Sequence, residues 1–73
     1  MNISKYQVLE ISYSKGKYIL GTPANITDEG SFYRIDGTHI FDKFRIQSMK
    51  LEGNQLTIHM KDQDVILIVE ERK

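Results

Sequence analysis

The sequence predicts an all-β protein: a small barrel or strongly curled antiparallel sheet of 5–7 short strands, with residues 1–73 forming one small domain. Three observations predict it. Strand-like segments recur about every ten residues, separated by Gly, Asn and Asp. Helix signals are nearly absent. Two alternating segments fold back at Asp36-Gly37 and Gly53-Asn54, dipeptides that favour tight hairpin turns.

The first strand is expected over Tyr6 to Tyr13, with Leu9, Ile11 and Tyr13 on one face and Tyr6, Val8 and Glu10 on the other. "SYSKGKY" reads as a loop with Gly16 at its tight point. "YILGTPANI" reads as a second strand. Pro23 has no N–H to give a ladder, so it suits an edge, a bulge or a strand end. "TDEGS" is a polar loop, in which Thr27 or Asp28 can cap a short turn and Gly30 can take a positive φ.

"FYRIDGTHIF" predicts a hairpin with Asp36 and Gly37 as a two-residue turn. Ile35 then faces Thr38, Arg34 faces His39, Tyr33 faces Ile40, and Phe32 faces Phe41. In "DKFRIQSMKLEG", Phe44 and Ile46 share a parity that Met49 and Leu51 do not. A bulge or turn near Gln47-Ser48 reconciles them, with one helical turn over Phe44 to Ser48 as the alternative.

"MKLEGNQLTIHM" predicts a II′-type turn at Gly53-Asn54, pairing Leu51 with Leu56 and Met49 with Ile58. A third hairpin turns at Asp62-Gln63 or Gln63-Asp64. Either placement puts Val65, Leu67 and Val69 on the face of Leu56, Ile58 and Met60. The expected core is therefore Leu9, Ile11, Tyr13, Ile35, Ile40, Met49, Leu51, Leu56, Ile58, Met60, Val65, Leu67 and Val69. Ile66 and Ile68 fall on the opposite face, beside Thr57, His59 and Lys61. Two isoleucines on an outer face call for a cover. That cover is either another part of the same barrel or a second subunit or partner protein.

Composition narrows the function classes. With no cysteine, disulfides, thiol catalysis and zinc ribbons drop out, and a reducing, cytoplasmic setting is expected. Ten basic and ten acidic residues cancel, which leaves no global field to attract nucleic acid or anionic membrane. The charge is mildly polarised, with seven basic and five acidic residues in the first fifty positions and three and five in the rest. "MNISKYQVLE" is too polar for a signal-peptide core, and no membrane association is expected.

Few residues suggest chemistry. His39 and His59 lie in no spaced ligand motif, so no metal and no cofactor are predicted. Asp62 and Asp64 have the spacing of calcium-loop ligands but lack the further oxygens such loops need. There is no nucleophile elbow or phosphate-binding glycine loop. No catalytic residue and no small-molecule substrate follow. Small barrels do bind single strands by stacking bases beside a basic groove. Lys15, Lys17, Tyr18, Arg34, Lys43 and Arg45 supply the residue types for that.

The run "EISYSKGKYILGTPANI…FYRI…FDKFRIQSMKLEG" resembles small bacterial Sm-like barrels and WYL-type modules. "IDGTHIFDKFRIQSMKLEGNQLTIHMKDQDVILIV" resembles the sheet half of a bacterial pleckstrin-homology-like domain. Both resemblances imply a small curled sheet, and neither carries a functional residue across.

The expected function is a non-catalytic interaction or regulatory module. It would associate with a protein partner or itself through the face of Ile66, Ile68 and His59, or through an exposed strand edge. The alternative is a small barrel that binds nucleic acid.

Overall fold

The computed structural model describes residues 3–72. A 3₁₀ turn, Ile3–Lys5, leads into seven antiparallel strands: β1 (Tyr6–Tyr13), β2 (Gly16–Asp28), β3 (Phe32–Ile35), β4 (His39–Asp42), β5 (Ile46–Glu52), β6 (Gln55–Met60) and β7 (Asp64–Glu71). They form one sheet in the order β4-β3-β2-β1-β7-β6-β5. The edge strands β4 and β5 are joined by only the 3₁₀ turn Lys43–Arg45, so the curl of the sheet brings the end of β4 near the start of β5. Two backbone hydrogen bonds anchor this turn: Lys43 N–H donates to Ser31 O at 3.0 Å, and Lys61 N–H donates to Arg45 O at 2.9 Å. The fold is a curled, all-β half-barrel, as the strand rhythm predicts.

The concave side holds the core: Ile3, Val8, Ile11, Ala24, Ile26, Ile35, Phe41, Leu56, Ile58, Met60, Val65, Leu67 and Val69. Tyr13, Met49 and Leu51 are half-buried against it rather than enclosed. Two predicted core residues are displaced. Leu9 sits at a bulge, where the pairing of β1 slips between Val8 and Glu10. The slip turns Val8 and Ile11 inward together and leaves Leu9 outside the core. Ile40 is 51% exposed, and its neighbour Phe41 is buried instead.

The second displacement has a clear cause. Ile35 pairs with His39, Arg34 with Ile40, Tyr33 with Phe41 and Phe32 with Asp42. The connection is thus three residues, Asp36, Gly37 and Thr38, and not the two-residue turn predicted. Asp36 and Gly37 do take positive φ, at 54° and 69°. One extra loop residue shifts the register by one, and a shift of one exchanges the two faces of β4.

Elsewhere the turn chemistry governs the register. Gly53 takes φ 62° while Asn54 does not go positive, as a II′ turn requires. Leu51 pairs with Leu56 and Met49 with Ile58, as predicted. A bulge at Gln47 slips the pairing between Ile46 and Ser48, and the short helical turn lies just before it, at Lys43–Arg45. The first turn is Ser14-Lys15, with Gly16 already paired to Tyr13, so Gly16 is not the tight point.

β2 is the longest strand, and it bends. Glu10 pairs with Ile19 and Val8 with Ala24, so Leu20 to Pro23 bulge out of the ladder, which accommodates Pro23. After the bend, Ile26 to Asp28 pair with β3. At the end of β2, the Asp28 carboxylate accepts the Gly30 N–H at 2.9 Å, and Gly30 takes φ 94°.

Candidate association surface

β7 lies inside the sheet, between β1 and β6, and its side chains alternate cleanly. Val65, Leu67 and Val69 point into the core. Ile66 and Ile68 are half-buried and belong to the opposite, outer face. No element of the described residues crosses that face to bury them, because β1 lies beside β7 in the sheet rather than over it. Their partial cover comes from flanking side chains.

The register places these side chains in rows across the outer face. Ile19, Glu10, Ile68, Gln55 and Glu52 form one row, on β2, β1, β7, β6 and β5 in turn. Lys17, Ser12, Ile66, Thr57 and Lys50 form the next. Asp64, His59 and Ser48 lie beyond, and His59 Nδ1 is 3.0 Å from the Asp64 carboxylate. Ile19, 73% exposed, extends the apolar surface of Ile68 along its row. The sequence reading misses Ile19 because it takes Gly16 as the tight point, whereas the turn at Ser14-Lys15 sets Ile19 opposite Glu10, ahead of the bulge, and so level with Ile68.

The two rows differ in charge. The Ile68 row carries Glu10 and Glu52, and the Ile66 row carries Lys17 and Lys50. Each glutamate has a lysine of the neighbouring row nearby: Lys17 Nζ is 3.9 Å from Glu10, and Lys50 Nζ is 3.5 Å from Glu52. All four groups stay solvated, so these pairs add little to stability.

The residues proposed for nucleic-acid contact do not gather into one basic groove. Lys15 lies exposed in the first turn. Lys17 is on the outer face near Glu10. Lys43 donates to Asp28 at 2.8 Å and lies 4.7 Å from the centre of the Tyr33 ring. This bond, with that from Gly30, holds the Asp28 carboxyl below its usual range and raises the Lys43 ammonium. Arg45 is salt-bridged to Asp62. The Arg34 guanidinium lies 5.5 Å from the centre of the Phe32 ring.

Tyr18 instead joins an aromatic cluster. Its ring meets Tyr13 edge-on at 5.6 Å and His39 at 5.3 Å, while Tyr13 stacks on Phe41 at 6.2 Å. The Tyr13 hydroxyl is 2.8 Å from His39 Nδ1. Burial, and secondarily the neighbouring Tyr18, raise the Tyr13 pKa. The cluster closes the ends of three strands: Tyr13 ends β1, His39 begins β4, and Tyr18 lies near the start of β2. Among the described residues, no three His, Cys, Asp or Glu side chains gather as metal ligands, and no helix is long and apolar enough to cross a membrane. Comparison with family models, curated proteins and solved structures finds no match to this chain.

Proposed function

We propose that this protein is a non-catalytic association module whose working surface is the outer face around Ile66, Ile68 and His59. The observation that carries this reading is the row structure of that face. Ile66 and Ile68 stand on an inner strand, outside the core, with the exposed Ile19 in line with Ile68. An apolar centre with charged flanks is the composition of a protein-binding patch. The pairing of Lys17, Lys43 and Arg45 with carboxylates favours this over nucleic-acid binding, because each pair removes positive charge that a phosphate would need.

Ile68→Lys tests the reading. The variant is expected to keep its β circular dichroism and a cooperative melt, because Ile68 is outside the core, and to lose every assembly that the wild type forms through this face. Unfolding of Ile68→Lys would instead make Ile68 part of the interior. Salt-dependent retention of single-stranded DNA or RNA by both proteins would favour the nucleic-acid alternative.

A further inference from the structure

We propose that the open edge of β5 pairs with β5 of a second copy of this chain, antiparallel, about a two-fold axis through Leu51. This contact is separate from the outer face around Ile66 and Ile68.

β5 ends the sheet, with β6 on one side and no strand of the described residues on the other. The turn at Gly53-Asn54 makes Glu52 and Gln55 the closing hydrogen-bonded pair, so Lys50 and Ser48 also bond to β6. Met49 and Leu51 alternate with them and aim their N–H and C=O groups at the open edge. The side chains of Met49 and Leu51 are only half-buried against the core, which leaves apolar surface beside those groups. A strand added here lies in the sheet itself, so the curl of the outer face does not part the contacts.

The residues of β5 select one register. The outward groups stand on Met49 and Leu51, and each two-fold axis brings one set of residues together. An axis through Met49 sets the bulge at Gln47 against the second copy's Leu51 and breaks the ladder. An axis through Lys50 sets lysine on lysine, and one through Glu52 sets glutamate on glutamate. An axis through Leu51 sets Lys50 opposite the second copy's Glu52, and Glu52 opposite its Lys50. Within one copy Lys50 Nζ is already 3.5 Å from Glu52. The four side chains then make a square in which every charge has two neighbours of opposite sign. On the core side, Leu51 meets the second copy's Leu51. The second copy's hairpin turn ends opposite Met49 and Ser48, short of the turn Lys43–Arg45 that leads in from β4. Each contact is made twice, as an isologous interface needs.

The contact is small: the hydrogen bonds between the two Leu51 residues, and two exposed charge pairs. The dimer is therefore weak and becomes populated near about 1 mM.

NMR on an equal mixture of isotope-labelled and unlabelled protein near that concentration tests the pairing. An intermolecular contact between Lys50 Hα and Glu52 Hα is expected, because the two Cα atoms stand about 4.5 Å apart in a non-hydrogen-bonded pair. K50E alone, or E52K alone, turns both charge pairs repulsive. Its dissociation constant should rise at least about 5-fold, the product of two pair effects of a factor of ~2.3 each. An equimolar mixture of K50E and E52K should restore the dimer. A synthetic chain N-methylated at Leu51 should keep its fold, because that N–H is outside the ladder, and should lose the dimer. No intermolecular contact, with a Leu51 amide shift that stays constant up to about 2 mM, overturns the proposal. Dimerisation of K50E or E52K at wild-type strength, or failure of their mixture, overturns the register. A dimer that survives N-methylation of Leu51 but is lost in Ile68→Lys overturns the edge contact and assigns assembly to the outer face.

Discussion

Leu67 and Ile68 are neighbours on β7 that face opposite ways, and truncating each to alanine should have very different costs. Leu67 is 0% exposed and packed among the core residues. Removing its side chain leaves a cavity that a sheet paired on both sides cannot close, so Leu67→Ala should cost about 2–5 kcal/mol. A chain of 73 residues has a total stability of about 4–11 kcal/mol, so this is a large fraction of the whole. Ile68 is half-buried by flanking side chains and opens no interior cavity when cut back. Ile68→Ala should cost about 0.5–1.5 kcal/mol. Urea denaturation separates the two. With a slope near 1 kcal/mol per M for a small domain, the midpoint should fall by about 2 M or more for Leu67→Ala and by roughly 1 M for Ile68→Ala. The comparison belongs at dilutions where the midpoint no longer changes with protein concentration, so that any dimer contributes nothing. Equal costs at the two positions would refute the division of β7 into a core face and an outer face.

Three further outcomes follow. Tyr13→Phe removes the hydroxyl that meets His39 Nδ1 and should cost about 0.5–1.5 kcal/mol. In the wild type the raised Tyr13 pKa adds stability that is full below the ordinary value of 10.0 and is lost as pH rises through the folded value, and a tyrosinate absorbance titration of both proteins reads this directly. Gly53 holds φ 62° with open space where a Cβ would stand, so Gly53→Ala should cost about 1–2 kcal/mol by thermal melt, while D-alanine at the same position in a synthetic chain should not. Asp28 titrates below its usual 3.8, so its contribution is present above that pH and is lost as pH falls through the folded value. Asp28→Asn should remove that part of the acid limb, and carbon-detected NMR of the Asp28 carboxyl should place its midpoint below that of an unstructured aspartate.

Much of the fold was legible because strand logic depends on parity. The third hairpin turns at Lys61-Asp62, with Met60 N–H donating to Gln63 O at 2.9 Å and His59 paired with Asp64. That is one residue earlier than a turn at Asp62-Gln63 and two earlier than one at Gln63-Asp64, the two placements predicted from sequence. Both predicted placements pair residues whose numbers sum to an odd value, as the observed one does, so Val65, Leu67 and Val69 reach the core all the same. The hairpin at Asp36-Gly37 had no such protection. Its loop is longer by one residue, the parity changes, and Ile40 and Phe41 exchange places. The bulge at Leu9 does the same within a single strand, because nothing in "QVLEI" marks where a ladder will slip.

The outer face was legible in part. Ile66, Ile68 and His59 follow from alternation along β6 and β7. Ile19, Glu10, Lys50 and Glu52 join them only once five strands are in register, and two of those strands, β1 and β7, meet through pairing distant in sequence. Phe44, 73% exposed, escaped for a different reason. The short turn that presents it is held by Lys43 to Asp28 and Arg45 to Asp62, one ion pair at each end, and those partners become neighbours only when the sheet curls.

Isoleucine methyl NMR with a soluble gadolinium chelate tests the central claim most directly. In dilute solution the chelate should relax Ile19 strongly and Ile66 and Ile68 measurably, while Ile11, Ile26, Ile35 and Ile58 remain protected. Protection of Ile66 and Ile68 at every concentration, equal to that of Ile58, would place them in the interior and contradict the account.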